Sequence, residues 1–174
     1  MSVASTVRHA WVETELGRLL VARTTRGLCS IALVEDGAEA RLARWVEEHA
    51  RGSALVEDAA ALADATRQLA EYARGERRVF ELELDLAGTE FELEVWQALR
   101  AIPWGVSRTY GQIAAAIGAP HAARAVGRAN GRNPLPIVVP CHRVLAKDGL
   151  GGFSGGGVAC KQRLLALEGL QLFA

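Results

Sequence analysis

Of the three cysteines and four histidines in the chain, only Cys141 and His142 are neighbours, in the run Pro140-Cys141-His142-Arg143-Val144. A thiol next to an imidazole and a guanidinium has the setting of a nucleophile, because nearby positive charge favours the reactive thiolate. Adjacent side chains on an extended chain point opposite ways, so adjacency alone does not bring His142 against Cys141. Read by itself, the pair fits a buried structural cysteine as well as a reactive one. Cys29 falls in an apolar run and reads as core, while Cys160, beside Lys161 near the start of the last helix, could be exposed. Three cysteines without CxxC spacing give neither a disulfide framework nor a zinc pattern. Cys29, His9 and His49 form no convincing cluster, so no metal is expected.

The elements that must position this thiol are partly legible. Ile137-Val138-Val139 reads as a short buried strand ending at Cys141, preceded by Asn133-Pro134-Leu135-Pro136. Upstream, Thr89 with Glu92 and Thr109 with Gln112 form two capping boxes. The first opens a helix carrying Phe91, Val95 and Leu99 that ends before Pro103. The second opens Tyr110 to Ile117, which Gly118 closes, and Pro120 then starts another helix over His121 to Ala129. Two short helices joined by a glycine-containing turn suggest a helix-turn-helix. The second is mostly Ala and Gly around Arg124 and Arg128, so its backbone can approach another surface closely; a core helix would carry larger apolar residues. A nucleic-acid contact is the favoured reading.

The first half reads as a small antiparallel meander, His9 to Thr14, Leu19 to Arg23 and Leu28 to Val34. Amphipathic helices follow over Ala38 to His49 and Asp58 to Ala73. Arg78 to Leu86 alternates strictly, which predicts a half-exposed strand with Val79, Glu81, Glu83 and Asp85 outward. The composition shifts near Ala87-Gly88, giving an expected α/β domain over 1–87 and a mainly α domain with the helix-turn-helix over 88–174. Trp11, Trp45, Trp96 and Trp104 read as packing residues.

The 174 residues balance 20 Lys and Arg against 20 Asp and Glu, but unevenly. Residues 1–95 hold 11 basic and 18 acidic residues, net −7, and residues 96–174 hold 9 and 2, net +7. No carboxylate occurs from Val95 to Lys147. A basic half could face a polyanion, or the two halves could attract each other; charge alone leaves both readings open. Half the residues are hydrophobic, which excludes a disordered polyelectrolyte, and no apolar run reaches the roughly 18 residues of a membrane helix. The opening stretch lacks an apolar core of signal-peptide length, so a cytosolic or, in a eukaryote, nuclear location is expected.

On these residues the chain resembles the O6-alkylguanine-DNA alkyltransferases, also called methylated-DNA-protein-cysteine methyltransferases. Pro140 to Val144 resembles the family's PCHRV signature, led in by Asn133-Pro134 and Ile137 to Val139. Ala122-Ala123-Arg124-Ala125-Val126-Gly127 is similar to its recognition helix, Thr109 to Ile113 to the helix before it, and Leu164 to Gly169 to its closing helix. These motifs occur in order over roughly residues 89 to 169. The first half matches in architecture only.

The resemblance implies suicide repair: the damaged nucleotide is flipped out through the minor groove and its O6 alkyl group moves to Cys141. His142, through a water, would be the base, Glu168 its orienter, and Tyr110 the donor that assists the leaving guanine. Arg124 would be the finger filling the vacated stack, among DNA-facing Thr109, Gln112, Ala122, Ala123, Ala125, Gly127 and Arg128. Asn133 would brace the recognition helix against the active-site segment. Pro140, Val144, Phe153, Ser154, Gly155 and Gly156 would line the substrate pocket. The family has an aromatic in that loop, and ungapped counting from Cys141 places Ser154, not Phe153, there. The resemblance implies a monomer acting on double-stranded DNA containing O6-alkylguanine, with O4-alkylthymine a further substrate, and no cofactor. Three rivals remain. A non-catalytic damage binder would lack the cysteine. A thiol hydrolase would need an oxyanion site and other signatures. A transcription regulator would need an effector module for which there is little room.

Overall fold

The computed structural model describes residues 5–33 and 37–170. Contacts divide the chain into two units, Met1–Ala87 and Gly88–Ala174.

In the first unit, β1 (Thr6–Thr14), β2 (Gly17–Arg23) and β3 (Leu28–Ala32) form the antiparallel meander. A fourth strand, β4 (Ala54–Glu57), pairs parallel to β1, so the sheet is mixed, in the order β3-β2-β1-β4. Nothing in Ala54 to Glu57 announces a strand: it is four residues long, all exposed, with no alternation to read. Helix α1 (Ala38–His49) presents Leu42, Trp45 and Val46 to Val7, Leu20, Ala22 and Cys29. Leu19 and Val21, on the opposite face by strand alternation, are also buried. That side carries a single 3-10 turn (Ala60–Leu62) and helix α2 (Ala63–Ala73). The sheet is covered on both faces, which explains the near-continuous apolar run in β2.

The expected strand over Arg78 to Leu86 does not form. That segment is extended, with one isolated bridge, Leu84 to Leu28, held by Leu28 N–H to Glu83 O and Asp85 N–H to Leu28 O, both 2.8 Å. Its alternation is real in exposure, except that Asp85 is buried. The Asp85 carboxylate accepts hydrogen bonds from Thr24 Oγ1 and Arg26 Nε, and Arg26 Nη2 lies 3.0 Å from its other oxygen. A residue assigned to the acidic outer face is an internal anchor. Val34, the expected end of β3, lies outside the described residues.

In the second unit, α3 (Glu90–Arg100) opens on the Thr89/Glu92 capping box, both reciprocal bonds present. It buries Val95, Trp96 and Leu99. Helix α4 (Tyr110–Ala116) opens on the Thr109/Gln112 box in the same way. Gly118, at φ 75°, makes the left-handed turn that α4 needs to reverse direction. Helix α5 (Ala123–Gly131) follows, starting two residues later than expected because Ala122 N–H bonds to Ala119 O in the turn. Trp96 Nε1 donates to Ala129 O at 2.9 Å, pinning α3 to α5 in the core. A two-residue parallel ladder joins β5 (Arg108–Thr109) to β6 (Val144–Leu145), and α6 (Gly157–Leu167) closes the unit.

Thr89→Ala removes the side-chain oxygen that accepts Glu92 N–H. It is expected to cost about 1 kcal/mol of stability in urea denaturation, the usual worth of an N-cap.

Candidate active site

Ile137-Val138-Val139 is not a strand. The segment from Asn133 to Pro140 is a tight turn in which Val139 N–H donates to Leu135 O at 2.8 Å and Ile137 takes a left-handed φ of 76°. Asn133 clamps it from both sides: Nδ2 donates to Val139 O at 2.7 Å, and Oδ1 accepts Leu135 N–H at 2.9 Å. A β-branched residue with positive φ persists only where its surroundings over-determine it, and these bonds together with full burial of Leu135, Ile137 and Val139 do so.

The turn delivers Cys141 into a 3-10 segment, Cys141–Arg143. All three side chains are buried, with Cys141 3 % exposed. His142 Nε2 lies 2.8 Å from Glu168 Oε1, 26 residues away, where Glu168 caps the end of α6. Arg143 holds the same carboxylate in bidentate fashion, Nε to Oε2 and Nη2 to Oε1, each 2.8 Å, and donates through Nη1 to Ile102 O. Gly105 N–H adds a fourth donor to Glu168 at 3.4 Å. The carboxylate fixes the Nε2–H tautomer of His142, which places the basic lone pair on Nδ1. Burial pushes the His142 pKa down, holding the ring neutral, and the Glu168 charge opposes this.

Burial also pushes the Cys141 thiol up to about 11, against the hydrogen bond from Asn133 and the charge of Lys161. The resting group is a thiol that needs a base. Lys161 is fully buried on α6, with Nζ donating to Val144 O at 2.6 Å and to Gly152 O at 3.3 Å. Desolvation pulls its own pKa down to about 8. Tyr110 is half-buried at the start of α4; its pKa is raised first by burial and then by the charge of Cys141, so the phenol and the thiol sense each other. The Tyr110 ring runs between Gly127 of α5, where an added Cβ would sit 3.9 Å from it, and Gly151, where one would sit 3.3 Å from the hydroxyl. Gly151 also has φ 72°, so no other residue fits there without strain.

The remaining expected residues divide. Ala122, at the N-cap of α5, and Ala123, Ala125 and Gly127 on it are half-buried, while Arg124 and Arg128 are exposed and make no ion pair among the described residues. Arg132 pairs with Glu92 at 3.1 Å. The polar atoms of Thr109 and Gln112 are engaged in the capping box of α4. Phe153 is buried, whereas Ser154 is exposed and its hydroxyl donates to Gly131 O at 2.8 Å, tying the glycine-rich loop to the end of α5. Pro140 and Val144 are buried and Gly155 and Gly156 half-buried. Cys29 is core, its thiol raised to about 12 by burial, and Cys160 is intermediate in exposure.

Two site residues escaped the sequence reading. Asn130 is 5 % exposed and its Nδ2 donates to Cys141 O at 3.3 Å. It stands four residues after buried Val126 on α5, the spacing that could have placed it inward. Lys161 precedes buried Leu164 and Leu165 by three and four residues, the same signal. Among the described residues no group of three or more His, Cys, Asp and Glu could hold a metal ion, and no helix is long and apolar enough to cross a membrane.

Two family models match: residues 7–86 match the 6-O-methylguanine DNA methyltransferase ribonuclease-like domain, and residues 90–170 the DNA binding domain of the same name. The chain is 45 % identical over 163 residues to a methylated-DNA-protein-cysteine methyltransferase of Mycolicibacterium paratuberculosis, covering 93 % of this chain and 92 % of that one. It is 44 % identical to the constitutive enzyme of that name from Bacillus subtilis, covering 92 % and 94 %. The structure matches the crystal structure of Mycobacterium tuberculosis O6-methylguanine methyltransferase at TM-score 0.82 and 40 % identity, over 97 % of this chain and 96 % of that one. It matches the DNA complex of the M. tuberculosis protein at TM-score 0.78 and 41 % identity, over 94 % and 92 %.

Proposed function

We propose that this chain, which belongs to the 6-O-methylguanine DNA methyltransferase family, repairs O6-alkylguanine in duplex DNA by moving the alkyl group irreversibly onto Cys141. The observation that carries the reading is the buried Cys141 in one short turn with His142, whose Nε2 stands 2.8 Å from Glu168. An alkyl carbon needs a soft, strong nucleophile, which a thiolate is and a hydroxyl at neutral pH is not. Neutral His142 takes the thiol proton through a water, with Glu168 orienting the ring and stabilising the charge it gains. The sulfur–carbon bond forms as the carbon–O6 bond breaks, Tyr110 donates to the departing base, and the proton lost by the thiol is regained by guanine. The thioether product resists hydrolysis, so each molecule acts once.

DNA is the partner, as in the solved complex of the M. tuberculosis relative. Arg124 enters the stack in place of the flipped nucleotide, and the small residues around it let α5 into the narrow minor groove. Exposed Arg128 contacts phosphate. The pocket for the base lies against Pro140, Val144, Phe153, Gly155 and Gly156, and Ser154 holds the loop to α5 rather than stacking on the base. The protein acts as a monomer of two domains, 1–87 and 88–174, and needs no cofactor. A non-catalytic damage binder is disfavoured because Cys141 is present. O4-alkylthymine is a second candidate substrate.

Intact-mass measurement after mixing with a duplex carrying one O6-methylguanine is expected to show one added methyl per protein, on the peptide containing Cys141. Turnover beyond one equivalent, or no label under reducing conditions, overturns the assignment. Arg124→Ala is expected to slow single-turnover transfer roughly tenfold or more, equivalent to about 1.4 kcal/mol of a flipping cost of a few kcal/mol. An unchanged rate would remove its role in the stack.

A further inference from the structure

We propose that Ser154 is a positioning residue whose hydroxyl latches the glycine-rich loop to the last carbonyl of α5, so that the wall of the base pocket keeps register with the helix that meets DNA. The inference rests on the alkyl-transfer reading above and supplies the link between its DNA-facing and its reacting parts.

The loop is fastened at four consecutive residues. Gly151, at φ 72°, lies so close to Tyr110 that an added Cβ would sit 3.3 Å from the phenol oxygen. Gly152 O accepts from Lys161 Nζ at 3.3 Å, and the same buried ammonium donates to Val144 O at 2.6 Å, three residues beyond Cys141. Phe153 is buried, and its carbonyl accepts Gly157 N–H at 2.9 Å at the start of α6. These ties hold the loop to Tyr110, to the segment that carries Cys141, and to α6. Ser154 adds the tie to α5, Oγ donating to Gly131 O at 2.8 Å.

The acceptor is a carbonyl that the helix leaves open. Gly131 ends α5, and the donor four residues on, Leu135 N–H, is taken by Asn133 Oδ1 at 2.9 Å. A helix-terminal carbonyl of this kind takes its partner from outside the helix, and Ser154 supplies one. Gly151, Gly152, Gly155, Gly156 and Gly157 flank the serine. Backbone so rich in glycine has many conformations to lose, so one fixed point on α5 decides where the loop stands relative to that helix. Arg124 and Arg128 lie on the same helix. Where α5 settles in the groove, the pocket wall settles with it. The bond is exposed, and water replaces it at little cost to the fold. What it sets is position.

The test is single-turnover transfer from an O6-methylguanine duplex to the full chain, with protein in saturating excess. Ser154→Ala is expected to slow the saturated rate roughly threefold to tenfold, while the end point stays at one methyl per protein and duplex affinity and thermal midpoint stay close to wild type. Ser154→Thr keeps the hydroxyl and is expected to recover most of the lost rate. The decisive measurement is a double-mutant cycle with Arg124→Ala. Seven residues of helix, about 10 Å, separate Arg124 from Gly131, and sites so far apart without a shared partner have effects that multiply. The latch makes the two depend on each other, so Arg124→Ala is expected to cost roughly threefold less in the Ser154→Ala background than in wild type. Effects that multiply in full, a wild-type rate in Ser154→Ala, a loss confined to duplex affinity, a Thr variant as slow as the Ala one, or a loss of rate that follows a loss of stability overturns the inference. Wild-type protein in the same assay separates the two levels: without its transfer the underlying reading fails, and with it a negative cycle counts against Ser154 alone.

Discussion

Replacing Cys141 by alanine is expected to leave no detectable alkyl transfer while duplex binding survives. The thiol is the soft nucleophile on which displacement at carbon depends, and without it Tyr110, His142 and Glu168 lose the group they serve. Binding should persist because Cys141 is 3 % exposed and offers almost no surface, whereas Arg124 and Arg128 lie exposed on α5. Fluorescence anisotropy with a plain duplex is expected to differ from wild type by no more than about 0.5 kcal/mol, the range of substitutions that touch no contact. Residual methyl uptake by the variant would identify another acceptor, and half-exposed Cys160 is the first to inspect.

The second large effect falls on Glu168→Gln. The substitution keeps the shape of the side chain but leaves Arg143, 6 % exposed, with its charge uncompensated. Breaking a buried pair from one side costs about 3–5 kcal/mol, a large share of the roughly 5–15 kcal/mol that holds a protein of this kind together. Urea denaturation is expected to register a loss of that order, along with slow transfer because His142 loses its orienting partner. Adding Arg143→Met should recover much of the stability, since removing both charges is far less costly than removing one. It should not recover transfer. A single variant as stable as wild type would show that the pair contributes little to the fold, and a double variant with restored transfer would separate Glu168 from His142.

Helix starts were the most legible part of the sequence. A capping box is a local device, complete within four residues, and both appear with each reciprocal bond formed. The mixed sheet was less legible, because β4 is short, wholly exposed and paired through a distant strand. Residues 137–139 show why apolar runs mislead. Three β-branched residues favour an extended chain, and here Asn133, with bonds to both limbs of the turn, overrides that preference. Asp85 broke its own alternating pattern because Thr24 and Arg26 offered it partners from another part of the chain. Within the site, Cys141 and His142 were visible from chemistry, and Glu168 only through the family resemblance, since no local rule joins residues 26 apart. Asn130 and Lys161 were passed over because a polar residue on a helix is read as surface until its neighbours at three and four positions are weighed.

The carboxylate of Glu168, shared between the ring of His142 and the guanidinium of Arg143, restricts how a lineage could lose this chemistry. A substitution at 143 or 168 that silences the reaction also strips the domain of much of its stability, and selection would remove it for misfolding before inactivity mattered. Residue 141 carries no such double duty: its side chain serves the reaction and its main chain serves the turn. Descendants that keep the fold while abandoning catalysis should therefore be found altered first at 141, with 143 and 168 still in place.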